Sequence, residues 1–319
     1  MSKILMSLFL SVIFASCTLL NIGETNCALK YALYNHEYIL EVERVTGERF
    51  MRHPATGEMI DTRQVVVYRI RYTSDDYEVM GYVAAPADFT ETAYPILIFN
   101  RGGNNFPGFK VGMLDATRVG YHAFRGYIVL ASQYRGAVIG MRGMEQLGGD
   151  DINDVLNLIT ISESFHFAKQ GGVFMFGGSR GGMMTYIAVR MDDRIKAAAS
   201  FAGVSNMFDL HSERNPGMQH MITRLVGGTP EEVPEEYERR SAVFWADEIT
   251  VPLLIGHGGE SDSQVLTGHS INLAEALERY GRLHRLIIYP DVGHYTPSKF
   301  LDEMDEWFRK HSNFEETAD

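Results

Sequence analysis

One stretch narrows what this chain can fold into more than any other: residues 171 to 186, GGVFMFGGSRGGMMTY. Val173 to Phe176 is a four-residue apolar run suited to a strand buried on both faces, and MMTYIAVRM from Met183 has few helix breakers. Ser179 sits at the turn between them, with glycine at 177, 178, 181 and 182. So tight a turn strains its serine and brings helix against strand, which leaves no room for side chains on either side. The pattern predicts strand, sharp turn, helix. It lifts a hydroxyl over a sheet edge, beside the positive end of a helix dipole.

Gly177-Gly178-Ser179-Arg180-Gly181 fits G-x-S-x-G, the nucleophile elbow. Phosphate-binding and purely structural loops use similar turns, so the motif gains its meaning only with its partners. An acid and a histidine should come later in the chain, in that order, each just after a strand. Residues 251 to 265, VPLLIGHGGESDSQV, read as an apolar strand and a polar loop carrying Asp262. Residues 286 to 297, LIIYPDVGHYTP, read as a second strand and a loop carrying His294. Ser179, Asp262 and His294 are therefore candidates for nucleophile, orienting acid and general base. Acyl transfer also needs backbone N–H groups aimed at a negative oxygen. Ile96 to Phe99 reads as a buried strand that runs into Asn100-Arg101-Gly102-Gly103-Asn104-Asn105. The N–H groups of Gly103 and Arg180 are the candidate oxyanion donors, with a plain turn as the alternative for the glycine pair. Arg101 has two readings, a brace for this loop or a contact to substrate.

A chain of 319 residues that is 45% hydrophobic can bury a sizeable core, and its short helix and strand patterns favour one α/β domain. Residues 1 to 17, MSKILMSLFLSVIFASC, hold one lysine and an uncharged apolar run from Ile4 to Ala15, which reads as an export signal and is short for a membrane span. The expected location is outside the cytoplasm: a bacterial periplasm, a membrane-anchored lipoprotein, or the medium. Phe14-Ala15-Ser16-Cys17 approximates a lipoprotein cleavage site, so a lipid anchor at Cys17 and ordinary signal cleavage are both open. Cys17 and Cys27 are the only cysteines, which excludes a disulfide framework and a thiolate metal site. A formal charge of −12 argues against nucleic acid or anionic lipid as partner.

Residues 18 to 60 show no repeat and few strand signals and read as a helical or irregular lead-in, with the main domain from residue 61 to 319. Val65 to Tyr72 and Tyr77 to Ala84 flank Thr73-Ser74-Asp75-Asp76 as an antiparallel hairpin. Tyr127 to Ala131 and Ile195 to Phe201 are further strands. Asp150, Asp151 and Asp154 lie close together but miss the EF-hand spacing, and helix capping and the helix dipole account for them. Residues 206 to 247 read as an irregular, charged insertion that caps the pocket; His211, Glu213 and His220 within it match no metal-ligand spacing. Helices are expected at Leu273 to Tyr280 and from about Ser298 to Lys310.

Together GYVAAP, ASQYRG, LGGDDINDVLNLI, GGSRGGMMT, YERRSAVFWADEITVPLLIGHGG and DVGHY resemble the catalytic domain of the prolyl oligopeptidase family of serine peptidases, over about residues 62 to 310. The resemblance implies an α/β-hydrolase fold: a mostly parallel, eight-stranded sheet with helices on both faces. It also implies Ser179 as nucleophile with Asp262 and His294 as partners; two-step acyl transfer by such a triad needs no cofactor or metal, and a small peptide or ester is the expected substrate. Two positions depart from the family pattern. Arg180 stands where the family commonly has an aromatic residue, and Asp262 lies one residue further from His257-Gly258 than the family's acid usually does. The family places its acid three residues before a comparable valine, which selects Asp262 over Glu260 by counting back from Val265. The triad cleaves amides and esters alike, so a peptidase, a carboxylesterase or dienelactone-hydrolase-like esterase, and an inactive binding protein on the same fold are the readings open. Relatives usually carry a β-propeller ahead of this domain. Residues 18 to 60 have about the length of one blade, about 40 to 45 residues. An open site gated by the 206 to 247 insertion is expected instead, with Arg180 available to an acidic substrate group or serving structure.

Overall fold

A computed structural model describes residues 27–45, 50–52, 57, 59–87, 94–104, 116–138 and 140–312. The expected export signal and Cys17 lie outside these residues. The strands are β1 (Ile39–Arg44), β2 (Phe50–Arg52), β3 (Met59–Asp61), β4 (Val65–Ser74), β5 (Tyr77–Pro86), β6 (Ile96–Asn100), β7 (Ile128–Ser132), β8 (Val173–Gly178), β9 (Ile195–Phe201), β10 (Leu253–Gly258) and β11 (His284–Tyr289). Nine of them form one sheet in the order β1-β4-β5-β7-β6-β8-β9-β10-β11, and β2 pairs with β3 alone. The run from β7 to β11 is parallel, while β1, β4 and β5 pair antiparallel with their neighbours. This is the α/β-hydrolase architecture, with one strand more than the eight expected.

The extra strand comes from the lead-in, which is not merely helical or irregular. Ile39–Arg44 pairs along β4 as an edge strand, so the sheet begins before residue 61. Its sequence ILEVER leaves four of six residues exposed, Leu40, Glu41, Glu43 and Arg44. An edge strand with so little buried surface carries little of the apolar alternation by which strands are recognised.

Alternation along the central strands divides the interior into two cores, one on each face of the sheet. Ile96, Ile98, Ile128, Leu130, Val173 and Met175 face one core. Leu97, Val129, Ala131, Phe174 and Phe176 face the other. Helices Asn153–Ser162, Arg180–Met191 and Gly268–Arg279 cover the first face through Leu158, Met184 and Leu273. Helices Ala116–Phe124 and Ser298–Lys310 cover the second through Tyr121 and Phe300. No helix among the described residues is long and apolar enough to cross a membrane.

The insertion at 206 to 247 is not irregular. It folds into helices Met207–Ser212, Pro216–Val226 and Pro234–Arg239. Asn206 caps the first by accepting from the N–H of Phe208, and Asn215 caps the second by accepting from Met218, just ahead of a proline at the first helical position. Met207, Leu210, Met221, Leu225, Tyr237 and Trp245 are buried in the first core. Charged residues between them mask the helical spacing in the sequence. Arg240, 1% exposed, donates to the carbonyls of Gln146 and Leu147 and ties the insertion to the loop ahead of helix Asn153–Ser162.

His269 joins the insertion to the helix beyond the acid loop. Its Nδ1 accepts from the N–H of Ser205 at 3.3 Å, and its Nε2 lies 3.3 Å from Glu213. Both contacts suit the neutral ring with its proton on Nε2. Burial pushes this imidazole down to about 4, against the pull of Asp209 and with that of nearby His257 and Arg214. The unfolded chain therefore binds a proton between about pH 6.5 and 4 that the folded one does not, and stability falls as pH falls through that window, by up to about 3 kcal/mol from this group. Urea midpoints at pH 7 and pH 4.5 should show the loss, and His269→Gln should reduce it. An identical acid loss in the variant would assign the effect elsewhere.

Candidate active site

Ser179 lies between β8 and helix Arg180–Met191 with φ 56° and ψ −126°, a left-handed conformation strained for any side chain. The flanking glycines are required by contact. A Cβ on Gly177 would stand 2.2 Å from the carbonyl oxygen of Gly181, and one on Gly181 would stand 2.0 Å from that of Asn100. The turn is held by backbone bonds from Ser179 N–H to Phe201 and from Gly182 N–H to Ser179, both 2.9 Å. Arg180 opens the helix, where the first N–H groups have no intrahelical acceptor.

The acid and histidine loops come after β10 and β11, at the same end of the parallel sheet as the elbow. His294 Nδ1 lies 2.8 and 3.0 Å from the two carboxylate oxygens of Asp262. Asp262 is 1% exposed and also accepts from the N–H groups of Gln264 and Val265 at 2.9 and 3.1 Å. Burial pushes its carboxyl up, but the hydrogen bond from His294 and those backbone donors outweigh it and hold it below the usual carboxylate range. An ionised carboxylate only accepts, so Nδ1 carries the imidazole proton and Nε2 keeps its lone pair free to act as a base. Glu260 is exposed and takes no part in this pair. His257, fully buried, brings its Nε2 to 3.9 Å from Asp262 and turns Nδ1 to the Gly258 carbonyl.

The loop after β6 lies against the elbow: a Cβ on Gly102 would stand 3.3 Å from the Ser179 Cβ. Gly102, Gly178 and His294 line one cavity of about 340 Å³. Its walls are Phe99, His122, Phe176, Tyr295 and Leu301, with Arg118 as the cation. Among the described residues, none from 206 to 247 lines this cavity; helices Ala116–Phe124 and Ser298–Lys310 contribute instead.

The two arginines near the elbow are both buried in ion pairs. Arg180 is 5% exposed and pairs with Glu145 at 2.5 Å and Asp151 at 2.6 Å, so its side chain is not offered to an acidic substrate group. Arg101, 1% exposed, pairs with Glu145 and donates to the carbonyl of Gln133. The aspartates of 150 to 154 lie in first helical turns, as the helix dipole favours, but none caps a helix through its side chain. Asp151 accepts from the N–H groups of Gln146 and Gly148 and pairs with Arg180, while Asp154 pairs with Arg135 at 2.8 Å. Within the insertion, Glu213 turns to His269, and His211 meets the Thr223 hydroxyl. Glu145 and Tyr134 carry no signal as site residues in the sequence, because their partners lie tens of residues away and only folding reveals them.

The model of the prolyl oligopeptidase family matches residues 114–315. The chain is 31% identical over 253 residues to the uncharacterized peptidase YtmA of Bacillus subtilis (strain 168), covering 78% of this chain and 95% of that protein. Among solved structures, the uncomplexed acylaminoacyl peptidase of Pyrococcus horikoshii superposes with a TM-score of 0.64 at 22% identity, over 79% of this chain and 42% of its own. A puromycin-hydrolyzing peptidase of Mycobacterium tuberculosis gives 0.66 at 23%, over 77% and 40%. The chain thus spans nearly all of the first relative and less than half of each of the two solved chains.

Proposed function

Because the chain belongs to the prolyl oligopeptidase family, we propose that this peptidase-type hydrolase is a serine enzyme working through Ser179, His294 and Asp262. The observation that carries the reading is the His294–Asp262 pair, with Nε2 left as base, beside a cavity shared with the strained elbow of Ser179. In the first step the Ser179 oxygen attacks the substrate carbonyl carbon while His294 Nε2 takes the hydroxyl proton. The carbonyl electrons collect on oxygen, facing the N–H groups of Gly103 and Arg180. Collapse breaks the bond to the leaving amine or alcohol, which takes the proton from His294. Water, deprotonated by the same imidazole, then releases the acid and restores Ser179. Asp262 holds the ring and balances the transient imidazolium.

The aromatic and aliphatic walls beside His294 support small substrates with an apolar group at the scissile carbonyl, in an acylated or aminoacyl peptide or an ester. The apolar run of residues 1 to 17 supports action outside the cytoplasm. A panel of aminoacyl, dipeptidyl and acyl-aminoacyl nitroanilides beside nitrophenyl esters of short and long acids tests the peptidase reading. Turnover of anilides with apolar residues is expected. Hydrolysis confined to esters would make the enzyme an esterase, and no turnover with a probe-inert Ser179 would make it a binding protein.

A further inference from the structure

Against the loop after β6 lies a buried quartet of charges that the steps above do not use. Arg101, Glu145, Asp151 and Arg180 are 1%, 3%, 0% and 5% exposed. Glu145 gives one oxygen to Arg101 and the other to Arg180, and Arg180 passes its second nitrogen to Asp151. The Tyr134 ring packs on both guanidiniums, 4.6 Å from Arg101 and 4.4 Å from Arg180. Burial pushes the Glu145 carboxyl up, but the two arginines outweigh it and keep it ionised. Two cations and two anions leave the quartet without net charge.

The same groups grip three successive carbonyls of the loop. Tyr134 donates its hydroxyl to the carbonyl of Arg101 at 3.0 Å, Arg101 Nη1 donates to Gly102 at 3.0 Å, and Arg180 Nη1 donates to Gly103 at 3.1 Å. In a trans peptide the N–H points opposite its own C=O. Holding these carbonyls therefore sets the direction of the N–H groups of Gly102, Gly103 and Asn104. Gly103, at φ 70°, is the left-handed residue that lets successive N–H groups turn toward one side as an anion-binding nest. We infer that Arg101, Glu145, Asp151 and Arg180, with Tyr134, form a positioning device that aims the backbone donors of the Gly102–Gly103 loop at the oxyanion. Arginine suits the task because its planar fork holds a carboxylate and a carbonyl at once. A lysine in its place would keep the charge and lose the second bond.

The inference rests on the serine-hydrolase reading, and the test separates the two. Removing an oxyanion donor costs about 10²- to 10³-fold in kcat, and a misaimed donor costs less. Glu145→Gln should lower kcat by about 10- to 100-fold with KM nearly unchanged. It should weaken a peptide aldehyde, whose carbonyl oxygen takes the oxyanion position once Ser179 adds to its carbon, by a similar factor. Tyr134→Phe keeps the ring between the guanidiniums and removes only the bond to the Arg101 carbonyl; a smaller loss of the same kind is expected. Arg180→Lys, which keeps the charge but not all of the bonds to Gly103, Glu145 and Asp151, should lower kcat in the same way. A purely structural role would lower the folded fraction and leave kcat per folded molecule, and the ratio of aldehyde affinity to KM, unchanged. If Ser179→Ala abolishes activity while Glu145→Gln and Tyr134→Phe keep wild-type kcat and aldehyde affinity, the inference fails and the serine reading stands. If activity survives Ser179→Ala, the serine reading itself fails. Should Glu145→Gln not fold, Tyr134→Phe decides by the same two readouts.

Discussion

Ser179→Ala is expected to lower kcat on every amide or ester substrate by about 10³-fold or more, in a protein that remains folded. In the proposed mechanism the hydroxyl forms the acyl bond, and alanine has no atom to replace it. The turn itself is held by backbone bonds of Ser179 to Phe201 and Gly182, which alanine keeps. Alanine also bears the same left-handed strain as serine at φ 56°. Urea unfolding should place the variant within about 0.5 kcal/mol of the parent. Retained turnover in pure, folded Ser179→Ala would remove the serine from the mechanism.

Asp262→Asn is expected to cost about 10³- to 10⁴-fold in rate. One oxygen of Asp262 accepts from the N–H groups of Gln264 and Val265, so in asparagine this position keeps the amide oxygen. The amide nitrogen then replaces the oxygen that lies 2.8 Å from His294 Nδ1. It donates where the carboxylate accepted, which drives the imidazole proton to Nε2 and leaves that nitrogen no lone pair with which to act as a base. Glu260→Gln, at an exposed position of the same loop, should leave the rate nearly unchanged. The comparison is read from kcat/KM of the two variants on one substrate. The reverse ranking would mean that the acid loop had been assigned in the wrong register.

The residues of the site that are legible in the sequence are those whose signal is local. Ser179 is marked by glycines within three positions of it, and Asp262 and His294 each lie in a loop directly after an apolar strand. The structure adds a contact that the order of residues only suggests, the hydrogen-bonded pair of Asp262 and His294. The hidden part depends on partners distant in sequence. Asp151 and Asp154 resemble helix-start aspartates, yet their charges are balanced by Arg180 and Arg135. Glu145 stands alone in MRGMEQLGG with nothing to mark it as the link between Arg101 and Arg180. Edge strand β1 gives no clear strand pattern because its charged residues face outward. The insertion has the composition of a solvated cap because Met207, Leu210, Met221 and Leu225 sit among charges, although at helical spacing they build core. Its buried side chains also alter the expectation about selectivity. The walls beside His294 come from β6, β8, the loop that carries His294 and two helices outside the insertion, so selectivity is expected to respond to Phe99, Arg118 and Tyr295 more than to insertion residues.

The claim on which the mechanism stands is that Ser179 becomes covalently acylated. A fluorophosphonate probe tests it, since the activated serine oxygen displaces fluoride from phosphorus and keeps the phosphonyl group. Intact mass and then peptide mapping should show one adduct per chain, on the peptide that carries Ser179, absent from Ser179→Ala and strongly slowed in Asp262→Asn. An adduct on a different residue, or an unlabelled protein that still turns over substrate, would contradict the account.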